Sequence, residues 1–252
     1  MVAELLKSKL NAILGRFGFR VVRATNFPQA DVGAFCANIA ARGFRPRHVF
    51  DVGANKGDWS RAARAVFPGA IYTLIEPQEE MTPFLERFCN ETPGATWIKA
   101  GAGATKGELE LAVADDTVSS SFAVSTDEAE RYDWRLRTVP VVTLDEVAVT
   151  VGAKPDIVKL DVEGFEREVL KGATTLIGET EVFLLELVLF RPKEGAMSFV
   201  DAVAFMADLG YVPYDFTGFQ SRPYDGALAL CEVAFARQGG FLRSFLDWDK
   251  YE

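Results

Sequence analysis

From residue 48 onward, short β-branched apolar runs alternate with longer segments whose apolar positions recur every three or four residues. Strands therefore alternate with helices, and the fold class is α/β. The pattern predicts strands over 48–52, 70–75, 96–100, 156–160 and 181–189, with helices over 59–66, 81–89, 166–172 and 199–209. Turn residues such as Phe67-Pro68-Gly69 close the units, because proline cannot continue a helix. Two further runs, 211–216 and 228–236, are joined by a turn-rich segment without a helix, which predicts an antiparallel hairpin. Five alternating strands and that hairpin make a doubly wound, Rossmann-like, mostly parallel seven-stranded sheet with an antiparallel C-terminal hairpin.

Two stretches break the alternation. At about 105–145, strand-like runs over 108–113 and 139–144 flank a polar, serine-rich segment over 115–137, which reads as an insertion over the sheet. At the N-terminus Leu5, Leu6, Leu10, Ile13 and Leu14 fall at helical spacing opposite Lys7, Lys9, Arg16, Arg20 and Arg23, predicting an amphipathic helix. Residues 1–45 are accordingly an N-terminal helical extension and 46–252 the principal domain. The helix is expected to dock on its own domain, with peripheral membrane contact the other use of such a basic face. The longest apolar run is broken by Glu186, well short of the roughly 20 residues that span a bilayer. No secretory signal is read at the N-terminus.

Composition narrows the class. A chain of 252 residues, 49% hydrophobic and 25% charged, forms one elaborated globular domain rather than a disordered or disulfide-stapled one. Its formal net charge of -9 is the wrong sign for gripping phosphate backbones, so nucleic acid is not the expected partner. Cys36, Cys89 and Cys231 are odd in number and show no C-x-x-C spacing. That pattern argues against disulfides and zinc, and for a reducing, cytoplasmic setting.

The densest chemical signal is Asp51-Val52-Gly53-Ala54-Asn55-Lys56-Gly57, where an apolar strand delivers an acid and two glycines into a helix start. Glycine permits the sharp turn and a close approach of ligand to backbone, while the helix N-terminus offers free N–H groups to an anion. Glu76-Pro77 ends the second strand, where a carboxylate can accept both hydroxyls of a ribose. The two motifs line one crevice and imply a nucleoside. A dinucleotide would want G-x-G-x-x-G, whereas here an acid precedes G-x-x-x-G. S-adenosylmethionine fits better: an acid for its amine, a helix N-terminus for its carboxylate and an electronegative cleft for its sulfonium. A catalytically inactive nucleoside-binding subunit and a NAD-dependent oxidoreductase are the rival readings.

A third element, Lys159-Leu160-Asp161-Val162-Glu163-Gly164, ends another strand in two carboxylates. Strand alternation puts Lys159 and Asp161 on one face, and Asp161 and Glu163 border the place from which a methyl group would leave. A second reading has Asp161 position the cofactor and Glu163 cap the following helix.

Asp51-Val-Gly-Ala-Asn-Lys-Gly57, Glu76-Pro77, Val142-Thr-Leu-Asp-Glu-Val147 and the stretch from Ile157 through Gly164 to Gly172 together resemble the FkbM family of S-adenosylmethionine-dependent methyltransferases. The resemblance implies methyl transfer to oxygen, commonly a hydroxyl of a sugar or natural product. It places the cofactor on Asp51, Gly53, Ala54, Asn55, Gly57, Glu76, Pro77 and Asp161.

An alcohol acceptor must also lose a proton. The single histidine, His48, precedes Asp51 by three residues, roughly 10 Å back along a strand, so it is not the base. Asp161, Glu163 or a Lys159 of depressed pKa is expected to serve. A divalent ion between carboxylates is the other route, but no metal is expected to be required. Ser120, Ser121, Tyr132 and Trp134 are expected to contact the small-molecule or glycan acceptor.

Overall fold

The computed structural model describes Leu14 and residues 31–114, 120–123, 129, 131, 133–190 and 195–246. Apart from Leu14, the amphipathic segment expected at 1–23 lies outside these residues, as does Tyr132. The strands are β1 (His48–Val52), β2 (Ile71–Ile75), β3 (Thr96–Ile98), β4 (Gly101–Ala102) and β5 (Gly107–Val113). They continue with β6 (Arg135–Val142), β7 (Ile157–Leu160), β8 (Val182–Val188), β9 (Tyr211–Ser221) and β10 (Leu228–Arg237). The helices are α1 (Val32–Ala41), α2 (Asp58–Val66), α3 (Thr82–Glu91), α4 (Leu144–Val151), α5 (Glu166–Lys171) and α6 (Phe199–Asp208).

Seven strands form one sheet in the order β3-β2-β1-β7-β8-β10-β9. Pairing is parallel except at β10, which runs antiparallel to both neighbours. The fold class read from the alternation, including the terminal hairpin, is therefore the one observed. The chain moves from β1 outward to β2 and β3, then returns to build β7 and β8 on the other side. The crevice of such a sheet opens at this switch point, beyond the carboxyl ends of β1 and β7, where Val52 lies beside Leu160.

β1 is buried along its whole length because helices cover both faces. Phe50, Val52, Val158 and Leu185 pack with Val147 of α4, Val169 of α5 and Met206 of α6. On the opposite face Val49, Leu74, Ile157 and Leu184 meet Phe35 and Ile39 of α1, Ala63 of α2 and Leu85 of α3. Each fully buried aliphatic side chain contributes about 1.5–3 kcal/mol. α1 starts where the Asp31 side chain accepts the Ala34 N–H at 2.7 Å, and its Phe35, Cys36 and Ile39 are part of this core. The described part of the N-terminal extension is thus integral to the domain.

Two expectations are corrected. The strand expected over 139–144 ends at Val142, and Leu144–Val151 is a helix. Thr143 accepts the Glu146 N–H at 3.1 Å while Glu146 reaches back to the Thr143 N–H at 3.3 Å, a capping box strong enough to override the apolar run before it. The insertion is not simply draped over the sheet either. β5 and β6 pair antiparallel, and β6 also pairs with β4, giving a second, three-stranded sheet in the order β4-β6-β5.

Candidate active site

The glycine bend is built from backbone bonds. Gly53 and Ala54 donate to the Ile75 carbonyl at 2.9 and 3.3 Å, which ties the end of β1 to the end of β2. Gly53 has φ 74°, and a Cβ there would run into the Asp161 carbonyl oxygen. Left-handed backbone and close approach together require glycine at this position. Gly57 has φ 78° and is the N-cap of α2. Between them Asn55 is also left-handed, with φ 45°, and its N–H donates to Glu76 Oε2 at 2.9 Å.

Glu76 is 3% exposed. Its other oxygen accepts the Gln78 N–H at 2.9 Å. The Gln78 side chain hydrogen-bonds to the same carboxylate, and with two acceptor sites on each oxygen one site remains for a ligand. Burial raises the Glu76 pKa, and the backbone donors of Gln78 and Asn55 and the Gln78 side chain oppose that shift. Beside it opens a cleft of about 560 Å³, mouth included, lined by Gly53, Asn55, Gln78, Phe122, Asp161 and Glu163 among others. A buried carboxylate with acceptor capacity left for a ribose hydroxyl, beside the glycine bend, fits S-adenosylmethionine.

The structure sorts the expected site residues. Gly53, Asn55, Glu76, Pro77 and Asp161 line this cleft, as does Glu163. Ala54 and Gly57 are buried and shape the bend from behind. Asp51, expected to hold a ligand's amine, is fully buried and is not among the residues that line the cleft. One of its oxygens accepts from Ser60 Oγ at 2.6 Å, and the other stands 4.0 Å from Lys159 Nζ.

Lys159 is 5% exposed and donates to Asp161 Oδ2 at 2.7 Å. Burial would lower its pKa, but Asp161, Asp51 and Glu232 more than offset it, so the ammonium stays charged. Lys159 thus sits as a cation among carboxylates, hydrogen-bonded to Asp161 and beside Asp51, rather than as a base. Asp161, Glu163 and Glu186 bring carboxylate oxygens within 4.8 Å of one another. A divalent cation could bridge such a spacing, yet Lys159 already supplies positive charge beside Asp161.

Glu163 has φ 53°, a strained backbone for a residue with a side chain. It is not the cap of α5, whose N-cap is Phe165. Glu166 instead accepts the Val162 and Gly164 N–H groups at 3.4 and 3.2 Å. His48 is buried at the amino end of β1, with Nε2 2.8 Å from Thr73 Oγ1. It faces away from the crevice.

Ser120 and Ser121 belong to the described part of the insertion. Both line the cofactor cleft, with Ser120 Oγ donating to Gln78 Oε1 at 3.1 Å and Ser121 Oγ to the Glu163 carbonyl at 2.7 Å. Trp134 does not line the cleft; its backbone N–H donates to the Ala129 carbonyl at 2.8 Å. The insertion thus walls the cofactor end. Phe122 packs so closely on Gly101 that a Cβ there would strike its ring. Gln78 and Gly101 carried no motif that would single them out. Glu186 did carry a signal, as an acid interrupting the most apolar strand.

The methyltransferase FkbM domain matches residues 51–213. The hexuronic acid methyltransferase AglP of Haloferax volcanii is 25% identical over 141 residues, covering 55% of this chain and 55% of its own. The chain thus spans about half the length of that curated relative. Among solved structures, magnesium protoporphyrin IX methyltransferase (ChlM) from Synechocystis PCC 6803, with bound SAM, is 16% identical with a TM-score of 0.48, covering 93% of this chain and 96% of its own. A SAM-dependent methyltransferase from Geobacter sulfurreducens in complex with S-adenosyl-L-homocysteine is 11% identical with a TM-score of 0.46, covering 85% and 95%. At those scores neither adds weight to the assignment, which stands on the domain match. That match takes in the glycine bend, Glu76 and the Asp161–Glu163 loop, and it covers well over half of the sequence: the chain belongs to the FkbM family of S-adenosylmethionine-dependent methyltransferases.

Proposed function

We propose that the protein methylates a hydroxyl oxygen of a sugar or natural-product acceptor. S-adenosylmethionine supplies an electrophilic methyl group on a positively charged sulfur. The observation that carries the reading is the partition of acids around the cleft. Glu76 closes one end with acceptor capacity left for a ribose hydroxyl, while Asp161 and Glu163 border the rest. Carboxylates near the reacting oxygen can hold its proton, which contributes about 10²–10⁴-fold. Holding that oxygen in line supplies several kcal/mol more.

The hexuronic acid methyltransferase AglP supports a sugar-derived acceptor. A reducing, cytoplasmic setting belongs to the same reading and is supported by the free thiols of Cys36, Cys89 and Cys231. A test combines calorimetry with S-adenosylhomocysteine and radiolabelled methyl transfer to a panel of glycosides, alcohols and amines. Label recovered as methyl ether supports the proposal. Label recovered only on nitrogen, or no binding of S-adenosylhomocysteine, overturns it.

A further inference from the structure

Glu186 lies on β8 directly opposite Glu232 of β10. Its side chain shares the sheet face of Leu184, and through the β7–β8 register it stands beside the position of Asp161. It does not line the cofactor cleft. It lines two other cavities instead. One, of about 610 Å³ with its mouth, is bounded by Trp59, Thr217, Phe219, Gln220 and Glu232. The other, of about 360 Å³, is shared with Glu163 and Met197. Asp161, Glu163 and Glu186, with oxygens mutually within 4.8 Å, are therefore the partition between the cofactor cleft and these cavities. A group on that partition can touch an acceptor on one side while remaining close to the reacting carbon on the other.

The neighbouring acids are engaged elsewhere. Asp161 is held by Lys159 at 2.7 Å, and Glu232 accepts from Thr217 Oγ1. Among the described residues Glu186 has neither a hydrogen bond nor an ion pair. Trp59, whose buried Nε1 donates to no group among the described residues, stands on the wall of the larger cavity.

We infer that the cavity between α1, α2 and the β9–β10 hairpin receives a neutral, polyhydroxylated acceptor, and that Glu186 is the base that takes the proton of its reacting hydroxyl. The inference rests on the methyltransferase reading and deepens it. The aromatic rings of Trp59 and Phe219 suit the C–H face of a sugar, and Thr217, Gln220 and the acids suit its hydroxyls. No Lys or Arg is among the described residues lining either cavity, so an anionic acceptor would find no lining cation to pair with.

In the reaction the acceptor oxygen gives its proton to the Glu186 carboxylate and forms a bond to the methyl carbon. The carbon–sulfur bond breaks with its electron pair left on sulfur, yielding S-adenosylhomocysteine, and Glu186 then returns the proton to solvent.

The groups facing Glu186 are Asp161, Glu163, Lys159, Glu232 and Cys231, with Glu166 on the wall of the smaller cavity. Burial, then the charges of Asp161 and Glu163, raise its pKa, and Lys159 opposes them. Proton uptake is thus tuned toward neutral pH, where a base works best.

The test uses the full-length protein with S-adenosylhomocysteine bound, titrated with p-nitrophenyl glucoside and p-nitrophenyl glucuronide. Glucoside binding is expected to be at least about tenfold tighter than glucuronide binding. Methyl transfer to the glucoside is expected to rise with pH through the neutral range. Glu186→Gln should leave S-adenosylhomocysteine and glucoside affinity within about threefold, lower transfer about 10²-fold or more, and erase that pH dependence. Equal or tighter glucuronide binding, no glycoside binding by protein that does bind S-adenosylhomocysteine, or full transfer by Glu186→Gln each overturns the inference. Failure to bind S-adenosylhomocysteine at all strikes instead at the methyltransferase reading.

Discussion

Glu76→Gln changes little in size and removes one acceptor group, which makes it the sharpest test of the cofactor cleft. In the native protein both carboxylate oxygens accept a backbone N–H, from Asn55 and from Gln78, each at 2.9 Å. A carboxamide offers one oxygen and one NH₂, so whichever way it flips, NH₂ faces one of those two N–H donors. A buried donor left unpaired costs about 1–3 kcal/mol, which should appear as a lower Tm without ligand. The same NH₂ takes away a charged acceptor from one ribose hydroxyl, worth about 1.5–3 kcal/mol. Affinity for S-adenosylhomocysteine should therefore fall about 10- to 150-fold. Isothermal titration calorimetry measures it, with unfolding scans run in parallel. The wild type should also bind more weakly as pH falls toward the burial-raised Glu76 pKa, because the protonated acid loses acceptor capacity, and Glu76→Gln should flatten that dependence. Binding by Glu76→Gln within about threefold of wild type, at unchanged Tm, would refute the assignment of Glu76 to the ribose.

Gly53→Ala should destabilise by more than the roughly 1–2 kcal/mol of its left-handed backbone, since the added methyl displaces the Asp161 carbonyl; a Tm lowered by less than about 2 °C would contradict this packing. Lys159→Met leaves Asp51, Asp161 and Glu232 without their shared cation and should cost about 3–5 kcal/mol in urea unfolding at neutral pH. That loss should shrink in acid as the carboxylates protonate, and a neutral effect at pH 7 would contradict it. Glu166 is raised from 4.5 to about 7, chiefly by burial, so the folded chain keeps a proton that the unfolded chain has already released. Stability should consequently decline by about 3 kcal/mol as pH rises from roughly 4.5 to 7. Glu166→Gln, which can still accept the Val162 and Gly164 N–H groups, should remove most of that slope; an unchanged slope by urea unfolding between those pH values would exclude Glu166 as its source.

The parallel sheet and the cofactor motif were legible in the sequence because both are local. β1 and β7 announce themselves as apolar runs, a positive φ at Gly53 and Gly57 calls for glycine, and an acid before Pro77 marks a strand end. Such features depend on backbone sterics and on side-chain alternation within a few residues. Even the helix at Leu144–Val151 was readable in principle, since Thr143 and Glu146 carry its capping box.

What tertiary structure alone decided is which charges meet. Asp51, Lys159, Asp161, Glu186 and Glu232 come from four strands and one strand end, and only the order β1-β7-β8-β10 gathers them on one sheet face. That gathering turned Asp51 from a ligand contact into a buried partner of Lys159, and fixed Lys159 as a cation rather than a base. It also brought Glu186 to the partition between cavities. Coulomb energy and desolvation depend on distance and burial, and neither is written along the chain.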